Sequence, residues 1–251
     1  MTIKRQVVSP RATGGEGHIF EYRVAAVMLA HLLCQTRPPG LQVPATRVGL
    51  QQRAMGYVLD DIVVHADRGP VNTQFQVKLS VTITPSDAEF LDVVGQALNV
   101  LSEHADEVAH GEIALGLIAE GDVKAIAELS SLTEKWAHQH AQHETFAQPF
   151  VPGVVRKELR SRLTHVERTV EKAIAGGAPD LGGAKQATHL FLSSLHVWCP
   201  SVSDEGADLR AVLDQLDPIA DEYGVTALDL FGHLEALAKT SGPAAGVVDT
   251  G

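Results

Sequence analysis

Apolar residues recur at helical spacing over 18–35, where Ala25, Met28 and Leu32 form one stripe. The segment PPGLQVPATR ends that helix, because proline cannot continue a helix interior. The period then drops to two. Residues 57–64 and 73–84 alternate and are rich in β-branched side chains, which predicts two strands joined by the turn HADRGP. Ser86 is placed to cap a helix whose stripe is Phe90, Val93, Val94, Ala97 and Leu98. EIALGLIAE, 112–120, is apolar enough to be an interior strand. Helical patterns follow at about 123–143 and 154–175. THLFLSSLHVWC reads as a short strand with a helical start, and two more helices fall at about 207–223 and 227–239.

This order predicts an α/β fold: a central mixed β-sheet flanked by helices, with a helical C-terminal extension. Residues 1–17, ending in TGGEG, read as a flexible arm. Residues 18–240 read as one domain, with a core over about 18–150 and an extension over about 151–240. The small, breaker-rich segment 241–251 reads as a linker or tail.

Polar residues interrupt the two paired strands. In YVLDDIVV, Tyr57, Leu59, Asp61 and Val63 share one face and Val58, Asp60, Ile62 and Val64 the other. Whichever face is buried, one carboxylate goes with it, and a buried carboxylate needs a cation or strong donors. In QFQVKLS, Phe75, Val77 and Leu79 form the apolar face, so Gln76 and Lys78 project side by side from the other. A carboxylate and an amide oxygen are hard ligands suited to Mg²⁺. An adjacent lysine can orient a water and offset charge on a phosphate. Glu21 heads the apolar stripe of the first helix, where a hydrophobe is the ordinary choice. The bland alternatives are a solvated sheet face with a Lys–Asp pair, and a first-turn glutamate favoured by the helix dipole.

Composition narrows the setting. The 251 residues can bury a core without disulfide or metal support. Cys34 and Cys199 lie in apolar surroundings and read as reduced core residues. The longest apolar stretch, VAAVMLAHLLC, is too short to span a bilayer, and no signal peptide is visible, so a cytoplasmic location without membrane contact is expected. The net charge of −11 argues against a surface that grips nucleic acid all over. It leaves room for one basic groove, and the densest basic run, Arg156, Lys157, Arg160 and Arg162 with Arg168 and Lys172 beyond, is expected to contact phosphates. The tract WAHQHAQHE puts His140 and His143 at metal-binding spacing on a helix, although a polar helix end explains it better.

A helix acid, a strand Asp, then a hairpin to a strand carrying Gln-x-Lys and a following helix: this arrangement resembles the PD-(D/E)XK nuclease superfamily, in its Mrr-like branch with Gln before x-Lys. GHIFEYR, DDIVV, FQVK and LFLSSLHVWCP also resemble the N-terminal double-stranded-DNA nuclease domain of bacterial anti-phage effectors. Those include effectors with cyclic-nucleotide sensor domains and NACHT or STAND-type ATPases. The likeness is dense over about 14–100. It implies a restriction-endonuclease-like sheet and Mg²⁺- or Mn²⁺-dependent hydrolysis of duplex DNA. By position it makes Asp61 the main metal ligand with Asp60 as fallback, and Gln76 and the Val77 carbonyl further ligands. Lys78 becomes the catalytic lysine and Glu21 the helix acid. It further implies a homo-oligomer or a larger defence assembly with a sensor or ATPase. The rival expectation is a catalytically inactive nuclease-like module for DNA binding or oligomerisation.

Overall fold

One sheet with apolar side chains on both faces organises the chain. A computed structural model describes residues 15–67, 72–140 and 143–249. In chain order the elements are α1 (Gly15–Leu33), β1 (Arg47–Leu50), β2 (Ile62–His65), β3 (Asn72–Val81), α2 (Ala88–Glu103), α3 (Ala105–Ala109), β4 (Ile113–Gly121), α4 (Val123–Glu134), α5 (His143–Ala147), α6 (Lys157–Ala175), α7 (Ala184–Ser194), β5 (Leu195–Trp198), α8 (Ala207–Tyr223), α9 (Ala227–Ser241) and β6 (Val247–Asp249). Short 3₁₀ turns occur at Gln52–Met55, Ala137–Gln139 and Gly242–Ala244. The strands form one sheet in the order β5-β4-β3-β2-β1-β6. The β3–β4 and β4–β5 pairs are parallel and the others antiparallel, so the sheet is mixed, as the alternation of elements predicts.

The period-two pattern sends alternate residues to different layers. On β4, Leu115 and Leu117 pack with Phe90, Val94, Ile126, Leu129, Val166 and Phe191 from α2, α4, α6 and α7. Ile118 of β4, with Phe75 and Val77 of β3 and Ile62 and Val64 of β2, packs with Val24, Met28, Leu216 and Phe231 from α1, α8 and α9. Gly116 on β4 accommodates the Phe75 ring: a Cβ there would lie 2.0 Å from it.

Several expectations need correction. Asp87, not Ser86, caps α2, its carboxylate accepting from the Phe90 N–H at 2.8 Å; a carboxylate is the better acceptor at a helix N-terminus. β2 begins only at Ile62, so Asp60 and Asp61 stand before the strand. The helix expected over 123–143 ends at Glu134, so His140 and His143 do not share one helix. The segment THLFLSSL is mostly helical, in α7, and only Leu195–Trp198 is strand.

The C-terminal segment is not a free linker. β6 pairs antiparallel with β1, from Arg47↔Asp249 to Gly49↔Val247. Just before it, the Gly246 carbonyl accepts from the Leu50 N–H at 2.9 Å. Small, breaker-rich residues suit a strap that must pass close to other backbone. The expected arm lies mostly outside the described residues, but its end, from Gly15, already belongs to α1. The turn HADRGP also lies partly outside them.

Candidate active site

β2 and β3 pair in the register Ile62↔Phe75, Val63↔Gln74. One step further sets Asp61 opposite Gln76, but β2 has ended there. The Asp61 side chain takes the place of the missing ladder partner: its Oδ2 accepts from the Val77 N–H at 2.8 Å. A notch therefore opens along the outer half of β3, at the positions of Gln76 and Lys78. The first turns of α1, the loop after β1, one stripe of α2 and the strap before β6 close around it. The result is a cavity of about 700 Å³ whose lining includes Glu21, Asp60, Asp61, Gln76 and Lys78.

The acidic residues differ in what holds them. Glu21 Oε1 accepts from Gln51 Nε2 at 2.8 Å, and His18 Nδ1 stands 3.6 Å from Oε2. Asp60 is buried and pairs with Arg53, Nη2 to Oδ1 at 3.2 Å. Asp61 keeps part of its surface in the cavity, yet protein surrounds it. Burial and the neighbouring Glu21 charge push its carboxyl up to about 7, against the opposing pull of Lys78 and the Val77 N–H. Burial and a like charge both favour the protonated form, and carboxyls perturbed in this way gather at functional sites.

The donors fit a hard divalent cation. Asp61 and Glu21 offer carboxylate oxygens and Gln76 an amide oxygen, the set that Mg²⁺ or Mn²⁺ prefers. Among the described residues no three His, Cys, Asp or Glu side chains are placed to share one ion, so the amide or a backbone carbonyl is needed to complete such a set.

The basic run stands elsewhere. Arg156, Lys157 and Arg160 do not line the cavity. Arg156 and Lys157 are exposed where α6 begins, and Arg160 Nε donates to the Val155 carbonyl at 3.2 Å. Arg162 is an internal tie: it meets Glu128 at 3.0 Å and donates to the Ile83 carbonyl at 2.6 Å. The cations at the cavity are instead Lys78 and Arg53. Sequence reasoning missed Arg53, Gln51 and His18, along with Asp92 and Gln96, which α2 presents to the same space. Asp92 and Gln96, one helical turn apart and off the buried stripe of α2, were the readable signal.

Of the histidines, His189 Nε2 donates to the His140 carbonyl at 2.8 Å, and the His138 ring packs against His196. Burial and His138 push His196 down to about 4. Cys34 and Cys199 are free thiols, each half-buried.

Fold and site define an α/β protein with an acidic, lysine-bearing notch at the end of a β-hairpin. Among the described residues no helix is long and apolar enough to cross a membrane. Comparison with protein-family models, with curated proteins and with solved structures gave no match.

Proposed function

We propose that the chain is a metal-dependent endonuclease that hydrolyses phosphodiester bonds of DNA, in duplex form. The observation that carries this reading is the convergence of Asp61, Gln76, Lys78 and Glu21, from three separate elements, on one open cavity. Lining such a cavity with charged groups costs desolvation that a solvated hairpin avoids.

Asp61, Gln76 and Glu21, with the Val77 carbonyl, would hold Mg²⁺ or Mn²⁺. The bound ion supplies charge neutralisation at the phosphate and eases deprotonation of water. Lys78 orients the attacking water by hydrogen bonding and offsets the negative charge that grows on the pentacoordinate phosphorus. Arg53, exposed at the mouth, can meet a neighbouring phosphate. Asp61 must be ionised to hold the cation, so cation binding competes with the proton that burial and Glu21 favour, and it tightens as pH rises through about 7.

Arg156, Lys157 and Arg160 are proposed as more distant phosphate contacts, on a helix packed against α2. The resemblance of the sequence motifs further suggests an effector of anti-phage defence, acting in a homo-oligomer or with a sensor or ATPase partner. That step rests on analogy. The rival reading, a non-catalytic DNA-binding or oligomerisation module, draws its support from the net charge of −11. Incubation of purified protein with supercoiled plasmid separates the two. The nuclease reading expects nicked and linear products with Mg²⁺ and none with EDTA; binding without cleavage under both conditions favours the rival.

A further inference from the structure

The residue that follows β1, Gln51, combines two unusual features. Its backbone is left-handed, with φ 49 and ψ 53, a conformation that non-glycine residues adopt only at a cost. Its side chain reaches across to α1 and donates from Nε2 to Glu21 Oε1 at 2.8 Å. The donor has to be the amide nitrogen, because a carboxylate oxygen only accepts. The backbone is pinned as well: the Gln51 N–H donates to the Asp61 carbonyl at 3.0 Å, and the next N–H, of Gln52, donates to the Asp60 carbonyl at 2.8 Å. One residue therefore grips the helix acid with its side chain and the Asp61 carbonyl with its backbone.

The strain is not scattered at random. The described non-glycine residues with left-handed backbone are Gln35, Gln51 and Ala245, and the last two line this cavity. Strain of this kind persists where surrounding contacts enforce it, and it gathers at functional sites. At this turn glycine would be the easy residue. Glycine cannot reach Glu21.

We propose that Gln51 is a positioning residue: it fixes the Glu21 carboxylate relative to Asp61 so that both can act on one divalent cation. This rests on the reading of the cavity as a cation-dependent nuclease site. The Gln51 amide nitrogen faces Glu21, not the cation. Its effect passes through Glu21.

The competing role is structural, with Gln51 merely tying the loop after β1 to α1. Gln51→Gly tells them apart. Glycine relieves the left-handed backbone while deleting the amide. Gln51→Asn tolerates the same backbone and is one methylene too short to reach. Both variants should melt within a few degrees of the parent. Mn²⁺ affinity, read by electron paramagnetic resonance titration of the full chain, should fall by about tenfold in each, the usual scale for losing a partner that orients a ligand. In a Glu21→Gln background the same Gln51→Gly change should cost no further affinity, because the residue through which it acts is already neutral.

A parent that binds Mn²⁺ with Gln51 variants binding equally tightly overturns the inference alone. So does an additive loss in the double variant, or a large drop in melting temperature with Mn²⁺ affinity intact. A parent that neither binds Mn²⁺ nor cuts DNA overturns the nuclease reading, and the inference with it.

Discussion

Asp61 and Lys78 share a cavity in which their charges oppose each other's environment. Burial and Glu21 raise the Asp61 carboxyl to about 7, and Lys78 pulls it back. Between the ordinary carboxylate value of 3.8 and about 7, the folded chain keeps a proton that the unfolded chain has released. This group therefore lowers stability as pH rises through that window. In metal-free protein, melting temperature plotted against pH should decline less steeply over that window for Asp61→Asn than for the parent. Identical curves would mean that Asp61 does not titrate there. The background runs the other way, because His196, held down to about 4, favours the folded state as pH rises from about 4 to 6.5, so only the difference between the two proteins is diagnostic. At this scale much of the site was legible. Asp61 breaks a period-two pattern, Gln76 and Lys78 form the polar half of another, and Glu21 breaks a helical one. Gln51 and Arg53 break nothing, since they lie in an aperiodic loop where any polar residue looks ordinary.

Elements explain the rest of what was and was not readable. The long helices and β3 stand out because their apolar periods run for several turns or pairs. β1 and β6 are only 4 and 3 residues long, contain or adjoin glycine, and exist by pairing with each other and with β2. Such strands are made by tertiary contacts, which local pattern does not reveal. The basic run on α6 gives the sharpest contrast, because one sequence cluster serves two purposes. Arg162 and Glu128 are 14% and 12% exposed, so Arg162→Ala leaves a carboxylate buried without its partner. That change should destabilise the fold by about 3 kcal/mol, measured by denaturant unfolding. A double charge reversal of the exposed pair, Arg156→Glu with Lys157→Glu, should leave the melting temperature nearly unchanged. It should instead weaken DNA binding and flatten its salt dependence. DNA affinity that follows the parent across a salt titration would remove α6 from the proposed DNA path.

For the whole molecule, the site is a meeting point of distant parts of the chain. Its walls come from the first turns of α1, the β1–β2 loop, β3, α2 and the Gly242–Ala245 strap. Gln52, fully inside, donates to the Ala245 carbonyl at 2.9 Å and fastens that strap to the loop that carries Gln51 and Arg53. A net charge of −11 opposes general attraction to nucleic acid, so the proposed activity would draw its affinity from a few local cations and from a metal ion. Lys78 is the cation whose charge acts on Asp61, and β3 is held by Phe75 and Val77, not by its ammonium. The most direct measurement is therefore a pair of assays on Lys78→Ala: thermal melting, and plasmid cleavage with Mg²⁺ under conditions where the parent cuts. Stability should fall by only about 1 kcal/mol, since the ammonium opposes the Asp61 charge from a half-exposed position. Cleavage should slow by on the order of 10²–10³, the usual cost of losing one preorganised charge at a transition state. A Lys78→Ala protein that melts like the parent and cuts as fast would contradict the nuclease assignment.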